Sequence, residues 1–252
     1  MNKPVKWFQH IPNILTLFNL CSGFLSIVFL FYKNLEAAAL MIMVGAMFDF
    51  LDGLAARLLD ARSKSGKILD SLADIVTFGV APAVIAFTII ELSFIRIIPE
   101  FDIYSATVGQ KILLFSPLII LISAALRLAD FTSNEYTNQF KGMPTPATGL
   151  FFAGMCFFIL DQEWMILSEF LMNPYVILVI LGIAGFLMIS RISFISLKMK
   201  DLSFGPHIMQ YLLLAGSIVL LIIFGKFAVS LIILFYVIVS IIDNIIPKHT
   251  QQ

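Results

Sequence analysis

The sequence predicts an all-α integral membrane protein, a polytopic helix bundle with about eight transmembrane helices. Its composition is the first reason: 60% of the 252 residues are hydrophobic, only 13% are charged, and the mean hydropathy is +0.99. Ordinary soluble domains do not have this composition. The second reason is that apolar runs long enough to cross a bilayer recur along the chain. The third is an uneven distribution of Lys and Arg between the runs.

Each apolar run is expected to form one helix, because about 20 apolar residues span the hydrocarbon core. The fifth run is short, and a tight connection at Gly225 and Lys226 joins the last two. We expect one membrane domain over residues 1–252, with a six-helix catalytic core at 12–195 and an additional helix pair at 206–246. The runs cover residues 12–32, 35–59, 67–91, 107–130, 146–160, 174–195, 206–225 and 227–246.

The basic residues predict the orientation. Lys33, Arg96, Lys111 and Lys226 fall on one side, and the other twelve of the sixteen fall on the opposite side. Because positive charge is enriched in cytoplasmic connections, the twelve predict that both termini are cytoplasmic, in an inner or plasma membrane. These twelve are Lys3, Lys6, Arg57, Arg62, Lys64, Lys67, Arg127, Lys141, Arg191, Lys198, Lys200 and Lys248.

Charge and cysteine content exclude several classes of function. The formal net charge is zero, so no nucleic-acid partner is expected. Cys21 and Cys156 lie in apolar runs without CxxC or Cys/His spacing, so neither a disulfide nor a zinc site is expected.

Four carboxylates, Asp49, Asp52, Asp70 and Asp74, fall within 26 residues of this apolar chain. Ionisable groups in membrane segments are costly and usually functional. Helical spacing puts two of these acids on one helix face and two on a face of the next helix. Four carboxylates so close together repel one another unless cations compensate them, and oxygen ligands favour magnesium, manganese or calcium. The same faces carry three small residues that admit a bulky ligand, namely Gly53, Ala56 and Gly66.

The spacing of eight residues in this stretch resembles the signature of the CDP-alcohol phosphatidyltransferase family. The eight are Asp49, Asp52, Gly53, Ala56, Arg57, Gly66, Asp70 and Asp74. The resemblance implies two divalent ions, Mg²⁺ or Mn²⁺, one held by Asp49, Asp52 and Asp70 and the second at Asp49, Asp70 and Asp74. It also implies that Asp74 is the general base. The nucleotide part of a CDP-lipid would then lie at Gly53, Ala56, Arg57 and Gly66. Snorkelling of Arg57 to the headgroups is the alternative.

The first apolar run adds Asn13, Thr16 and Asn19 within about a third of the helix circumference. Similarity to the family's first helix implies that Asn13 and Thr16 bind the CDP-lipid. The alternative is hydrogen bonding between helices that only stabilises the bundle.

Three further stretches resemble the phosphatidylserine synthase branch of the family: residues 71–83, 126–131 and 142–147. This resemblance implies that Arg127, Thr77 and Arg191 contact the acceptor or a phosphate. The branch usually has a second basic residue where this chain has Asp130. Membrane-surface anchoring is the alternative for Arg127, and generic headgroup binding for Arg191.

The resemblance implies transfer of a phosphatidyl group from CDP-diacylglycerol to the hydroxyl of L-serine, which gives phosphatidylserine and CMP. Another acceptor, such as glycerol phosphate, inositol phosphate or choline, stays open. Membrane lipid is an expected partner, and a homodimer through apolar helix faces is possible.

Two functions of other classes also use acids in a membrane. Aromatic prenyl transferases have acidic motifs far apart in sequence, whereas here all four acids are close. A cation transporter would carry its acids near the bilayer midplane, whereas these are expected near the cytoplasmic helix ends.

Overall fold

The computed structural model describes residues 10–61, 63–133, 142–195 and 208–245, and this part of the chain is predominantly helical. The first four helices are α1 (Ile11–Phe31), α2 (Leu35–Leu58), α3 (Lys64–Asp74) and α4 (Ala81–Ile97), with a π-helical turn at Ile75–Val80 between the last two. The later helices are α5 (Val108–Phe115), α6 (Leu118–Ser133), α7 (Thr145–Leu160), α8 (Met165–Leu171), α9 (Pro174–Ile189), α10 (Ile208–Phe224) and α11 (Ala228–Ile245).

Five helical stretches of the described residues are long and apolar enough to cross a membrane. A sixth is counted if the pair Thr145–Leu160 and Gln162–Leu171, bent by 90°, forms one span. The protein is therefore a polytopic, all-helical membrane protein, as the sequence predicts. The number of about eight spans is not confirmed. The cytoplasmic location of the termini stays a prediction, and residues 1–9 and 246–252 lie outside the described part.

The last of these stretches, Ile208–Ile245, reverses direction at Gly225. Gly225 has a φ of +54°, a left-handed conformation that glycine adopts without steric cost. A Cβ at Gly216 would lie 2.4 Å from Cε1 of Phe235, which is possible only if α10 and α11 fold back on each other. The predicted C-terminal helix pair is thus a hairpin. Its attachment to the rest includes a hydrogen bond of 2.9 Å from Ser230 Oγ on α11 to the Phe151 carbonyl on α7.

α1 and α2 form an antiparallel hairpin that brings the start of α1 beside the end of α2. Lys33, with φ of 55°, makes the turn, and the Asn34 side chain caps α2 by accepting a hydrogen bond from Ala37 N. Near the turn, Ser26 Oγ donates to the Ala38 carbonyl at 2.9 Å. Because the helices run in opposite directions, the Asn13 end of α1 faces the Asp49–Asp52 region of α2.

The π-helical turn directly follows Asp74 and has a local cause in the sequence. Pro82, in the first turn of α4, has no N–H for the Phe78 carbonyl, and its ring would crowd that carbonyl in a regular α-helix. The wider turn at Ile75–Val80 accommodates the proline while the chain continues as one span, Lys64–Ile97. Such π-helical turns occur frequently at functional sites.

Ion pairs of Lys33, Arg96 and Lys226 lie at the end of the bundle remote from the four acids. Lys33 pairs with Glu91, Arg96 Nη2 lies 2.9 Å from Glu169 Oε1, and Lys226 Nζ lies 3.5 Å from Asp161 Oδ2. Lys111 Nζ, the fourth basic group predicted for this side, donates to the Tyr104 carbonyl. These exposed contacts contribute little each, about 0–1 kcal/mol. They show that the basic groups predicted to face outward lie at one end of the molecule.

Candidate active site

Three of the four predicted acids form one cluster. Asp49, Asp70 and Asp74 each offer a carboxylate oxygen, and these oxygens all lie within 4.8 Å of one another. Asp70 and Asp74 are one helical turn apart on α3, while Asp49 comes from α2. Asp74 is the most enclosed of the three, with 7% of its surface exposed.

Asp52 lies beside this cluster and is held from α1. Thr16 Oγ1 donates to Asp52 Oδ2 at 2.6 Å, across 36 residues of sequence. Asp52 is buried, and it interacts electrostatically with Asp49, Asp70 and Asp74. The structure therefore brings all four predicted acids into one region, with Asp52 outside the group of three closest oxygens.

The donor set fits a divalent cation. Three carboxylates within 4.8 Å supply hard oxygen ligands, and their mutual repulsion is relieved by positive charge between them. A further oxygen, Asn19 Oδ1, is buried near these acids and has no hydrogen-bond partner among the described residues. Buried oxygen acceptors without a donor are costly, so polar or ionic occupancy of this region is favoured.

A cavity of about 520 Å³ extends from the acids along α1, α2 and α3 to the end of α6. All of the predicted CDP-lipid residues except Arg57 line it. Its wall consists of Pro12, Asn13, Thr16, Asp52, Gly53, Ala56, Ala61, Ser63, Lys64, Gly66, Lys67, Asp70 and Phe131.

The two glycines of the signature differ in what surrounds them. A Cβ built at Gly53 would meet no atom within 4 Å, so this position opens directly onto the cavity. A Cβ at Gly66 would lie 3.0 Å from Ser63 Oγ and 3.2 Å from Asn13 Oδ1. Gly53 thus leaves space for a ligand, and Gly66 allows α3 to approach α1.

Arg57 is exposed on α2, and its Nε donates to the Gly53 carbonyl at 2.9 Å. This hydrogen bond directs the guanidinium back along its own helix. Arg57 is therefore next to the cavity but is not part of its wall, and its contact with a phosphate stays a prediction.

Lys67 and Phe131 belong to the cavity wall but were not assigned from the sequence. Lys67 Nζ donates to the Phe131 carbonyl at 2.8 Å and lies 4.7 Å from the centroid of the Phe131 ring. A cation and an aromatic ring therefore face the same cavity as two of the acids. The sequence signal was ambiguous, because a lysine at a predicted cytoplasmic connection is accounted for by membrane orientation alone.

The three predicted acceptor residues have different environments. Arg127, on α6, has Asp74 and Tyr236 as electrostatic neighbours, and its Nε is buried with no hydrogen-bond partner in the described part of the chain. Arg191 is exposed just beyond α9 and does not line the cavity.

Thr77 is fully enclosed, and its hydroxyl donates to the Asn19 carbonyl at 2.9 Å. Thr77 does not line the cavity, and its contact with the acceptor or a phosphate stays a prediction. The π-helical turn directs this side chain towards α1 and α2, where Gly23 and Gly45 leave space for it.

Comparison with known proteins agrees with these features. A sequence model of the CDP-alcohol phosphatidyltransferase family matches residues 9–188. The chain is 38% identical over 191 residues to a Bacillus subtilis protein named CDP-diacylglycerol–serine O-phosphatidyltransferase, covering 74% of this chain and 90% of the relative.

Two further relatives match over shorter regions. A Mycobacterium leprae protein of the same name is 34% identical over 151 residues, 58% of this chain and 46% of the relative. An archaetidylserine synthase of Methanothermobacter thermautotrophicus is 34% identical over 157 residues, 59% of this chain and 58% of the relative. In these two cases the chain spans about half the length of the relative.

The matched region, residues 9–188, includes α1 to α3, the four acids and the whole cavity wall. The resemblance inferred from eight residues is thus confirmed over most of the chain. This protein belongs to the CDP-alcohol phosphatidyltransferase family.

Proposed function

We propose that this protein transfers the phosphatidyl group of CDP-diacylglycerol to the hydroxyl of L-serine, giving phosphatidylserine and CMP. The observation that carries the proposal is the cavity, which joins the predicted CDP-lipid residues to Asp52 and Asp70 of the acid region. The choice of serine is supported by the name of the Bacillus subtilis relative, 90% of which is covered by the match. The archaetidylserine synthase supports the same acceptor, since its name also specifies a serine lipid.

Enzymes of this family generally use divalent metals, and the acid region fits them. We assign Asp49, Asp70 and Asp74 to one ion, and Asp49, Asp52 and Asp70 to a second, with Mg²⁺ or Mn²⁺ as the expected metals. When bound, such ions neutralise the diphosphate and stabilise the charge that develops on the departing CMP.

The chain itself positions the CDP-lipid. Gly53 and Ala56 leave room along α2, and Asn13 on α1 and Gly66 on α3 border the same space. Thr16 already donates to Asp52, so it fixes that acid while lining the cavity. We assign the diphosphate of the CDP-lipid to the acid end of the cavity and the nucleoside to the end at Phe131.

The reaction requires a proton acceptor near the incoming hydroxyl. The serine oxygen forms a bond to the phosphorus of the phosphatidyl group while the bond from that phosphorus to the CMP oxygen breaks. We assign Asp74 to accept the serine proton, because it is a carboxylate of the acid cluster and has Arg127, a residue predicted to contact the acceptor, as an electrostatic neighbour. We assign Arg127 to pair with the serine carboxylate, because a planar guanidinium binds carboxylates through two parallel hydrogen bonds.

The orientation of the site follows from charge. Lys64 and Lys67, which line the cavity beside Asp52 and Asp70, belong to the side predicted to be cytoplasmic. The site would therefore face the cytoplasm, where soluble serine and the released CMP can exchange. A homodimer stays a prediction.

The direct test is turnover by the purified protein in detergent with CDP-diacylglycerol and Mg²⁺. Serine, glycerol phosphate, inositol phosphate and choline are offered separately, and both CMP and the lipid product are quantified. The proposal expects CMP release and phosphatidylserine formation in equal amounts with serine, above the background without any alcohol. Preference for another alcohol would contradict the serine assignment, and no turnover with any of them would contradict the function.

A further inference from the structure

Asn19 is a buried polar residue to which neither the signature nor the proposed reaction gives a role. It lies on α1, none of its surface is exposed, and it does not line the cavity. Its Nδ2 donates to Asp74 Oδ1 at 3.1 Å, across 55 residues of sequence. Asn19 thus contacts the proposed general base without being accessible to a nucleotide in the cavity.

The amide orientation is fixed by its surroundings. If the amide were reversed, Asn19 Oδ1 would face Asp74 Oδ1, and two acceptors would oppose each other. In the observed orientation Nδ2 occupies one oxygen of Asp74, and the second oxygen is left for another partner. Asn19 Oδ1 then lies towards α2, where a Cβ at Gly45 would be 3.1 Å away.

A second hydrogen bond holds the backbone of Asn19. Thr77 Oγ1, in the π-helical turn after Asp74, donates to the Asn19 carbonyl at 2.9 Å. Thr77 fits there only because α1 and α2 carry glycines at the contact: a Cβ at Gly23 would lie 2.4 Å from Thr77 Oγ1, and one at Gly45 would lie 2.5 Å from Thr77 Cγ2. Hydrogen bonds of Asn19 with Asp74 and with Thr77 therefore link α1 to the α3–α4 span at two points.

We infer that Asn19 is a positioning residue for Asp74: it fixes which carboxylate oxygen faces the acceptor hydroxyl, and Thr77 holds Asn19 in place. The inference rests on the proposed function, in which Asp74 accepts the proton of the alcohol. Groups that orient a metal-bound or catalytic side chain typically contribute about 10–100-fold to activity.

The test compares Asn19→Ala with Ser26→Ala. Ser26 is the matched control because it lies on the same helix, is fully buried and makes a hydrogen bond of 2.9 Å to α2, yet it contacts none of the acids. Four quantities are measured for each purified variant in detergent: the midpoint of thermal unfolding, the Kd for CDP-diacylglycerol with Mn²⁺, and kcat and KM from turnover at varied substrate concentrations.

The expected result is that Asn19→Ala lowers kcat by about 10–100-fold while KM and the Kd for CDP-diacylglycerol stay at wild-type values. Ser26→Ala is expected to keep wild-type kcat. Thr77→Val preserves the shape of the side chain but removes the hydroxyl, so it should also lower kcat. Thr77→Ser keeps the hydroxyl and should keep kcat at the wild-type value. If Asn19→Ala does not fold, the Thr77 pair decides by the same criteria.

Equal kcat for Asn19→Ala and Ser26→Ala would overturn the inference, and so would a loss of CDP-diacylglycerol affinity as large as the loss of kcat. Failure of the proposed function is recognised separately, in the wild-type protein. If wild-type turnover uses an alcohol other than serine, the comparison is run with that alcohol, since Asp74 has the same task. Absence of turnover with every alcohol would overturn both the proposed function and the inference about Asn19.

Discussion

Asp74 and Asp49 contribute oxygens to the same cluster but differ in their neighbours. Asp74 accepts a hydrogen bond from Asn19 and has Arg127, the residue assigned to the acceptor, as an electrostatic neighbour. Asp49, from α2, neighbours Asp52 and Asp70, the two acids that line the cavity. Removing the charge of Asp74 and removing that of Asp49 should therefore affect turnover and CDP-diacylglycerol affinity differently.

Replacing Asp74 by Asn should affect chemistry more than binding. The amide preserves size but cannot accept the proton, so the single-turnover rate should fall by about 10²–10⁴-fold while the affinity for CDP-diacylglycerol is largely retained. Asp49→Asn should weaken that affinity as well, because it removes a ligand of both proposed ions. Equal loss of affinity in both variants, measured in matched detergent, would mean that Asp74 acts mainly as a metal ligand.

A side chain at Gly53 should compete with the CDP-lipid. Gly53→Val adds bulk where no protein atom lies within 4 Å, so the fold should be preserved while the Kd for CDP-diacylglycerol rises. The control is Gly182→Val on α9, where a Cβ likewise meets nothing within 4 Å and the residue is remote from the cavity wall. Isothermal titration with CDP-diacylglycerol measures the Kd of both variants. An unchanged Kd in Gly53→Val would mean that the CDP-lipid does not bind beside Gly53.

Among the elements, the contact of α1 with α2 and the π-helical turn is the one that holds the acids together. Glycines at 23 and 45 let the Thr77 side chain lie between the two helices, and Thr16 and Asn19 of α1 then reach Asp52 and Asp74. Interfaces of small residues of this kind allow close packing of membrane helices.

Gly23→Ala should separate these elements. Its Cβ would lie 2.4 Å from Thr77 Oγ1 and 2.7 Å from the Thr77 Cα, and backbone cannot yield as a flexible side chain does. We expect the free energy of unfolding to fall by about 1–3 kcal/mol, the usual cost of overpacking. Thermal unfolding in detergent measures it beside Gly182→Ala, and equal midpoints for the two variants would contradict the packing described here.

The sequence predicted the four acids, Gly53 and Gly66, and the helix pair at 206–246, because those features depend on local spacing, whereas it gave no role to Gly23 or Gly45. Helical periodicity alone puts Asp70 and Asp74 on one face, and the apolar run around Gly225 already indicates a tight reversal. The contacts of Asn19 with Asp74 and of Lys67 with Phe131 join residues 55 and 64 positions apart, so they depend on how helices pack. The enclosure of Thr77 was missed for the same reason, since its direction is set by the π-helical turn.

For the whole molecule, the acids lie at one end of the bundle and the ion pairs of Lys33, Arg96 and Lys226 at the other. This polarity agrees with the distribution of basic residues in the sequence and predicts which end faces the cytoplasm.

Cysteine labelling in intact cells tests that orientation. With Cys21 and Cys156 replaced by Ala, the exposed positions Ser65 and Gln162 are changed one at a time to Cys. A membrane-impermeant maleimide added outside should label Gln162→Cys, and Ser65→Cys should react only after the membrane is permeabilised. Labelling of both from the same side would refute the predicted topology.

The central claim is that the acid region acts through divalent cations on a CDP-lipid. It is tested most directly by CMP release from CDP-diacylglycerol and serine in excess chelator, followed by titration with Mg²⁺ or Mn²⁺. We expect no release in chelator, recovery on addition of the ion, and no recovery in Asp49→Asn, Asp52→Asn or Asp70→Asn, each checked for membrane insertion. Full activity of the wild-type protein in excess chelator would contradict the account.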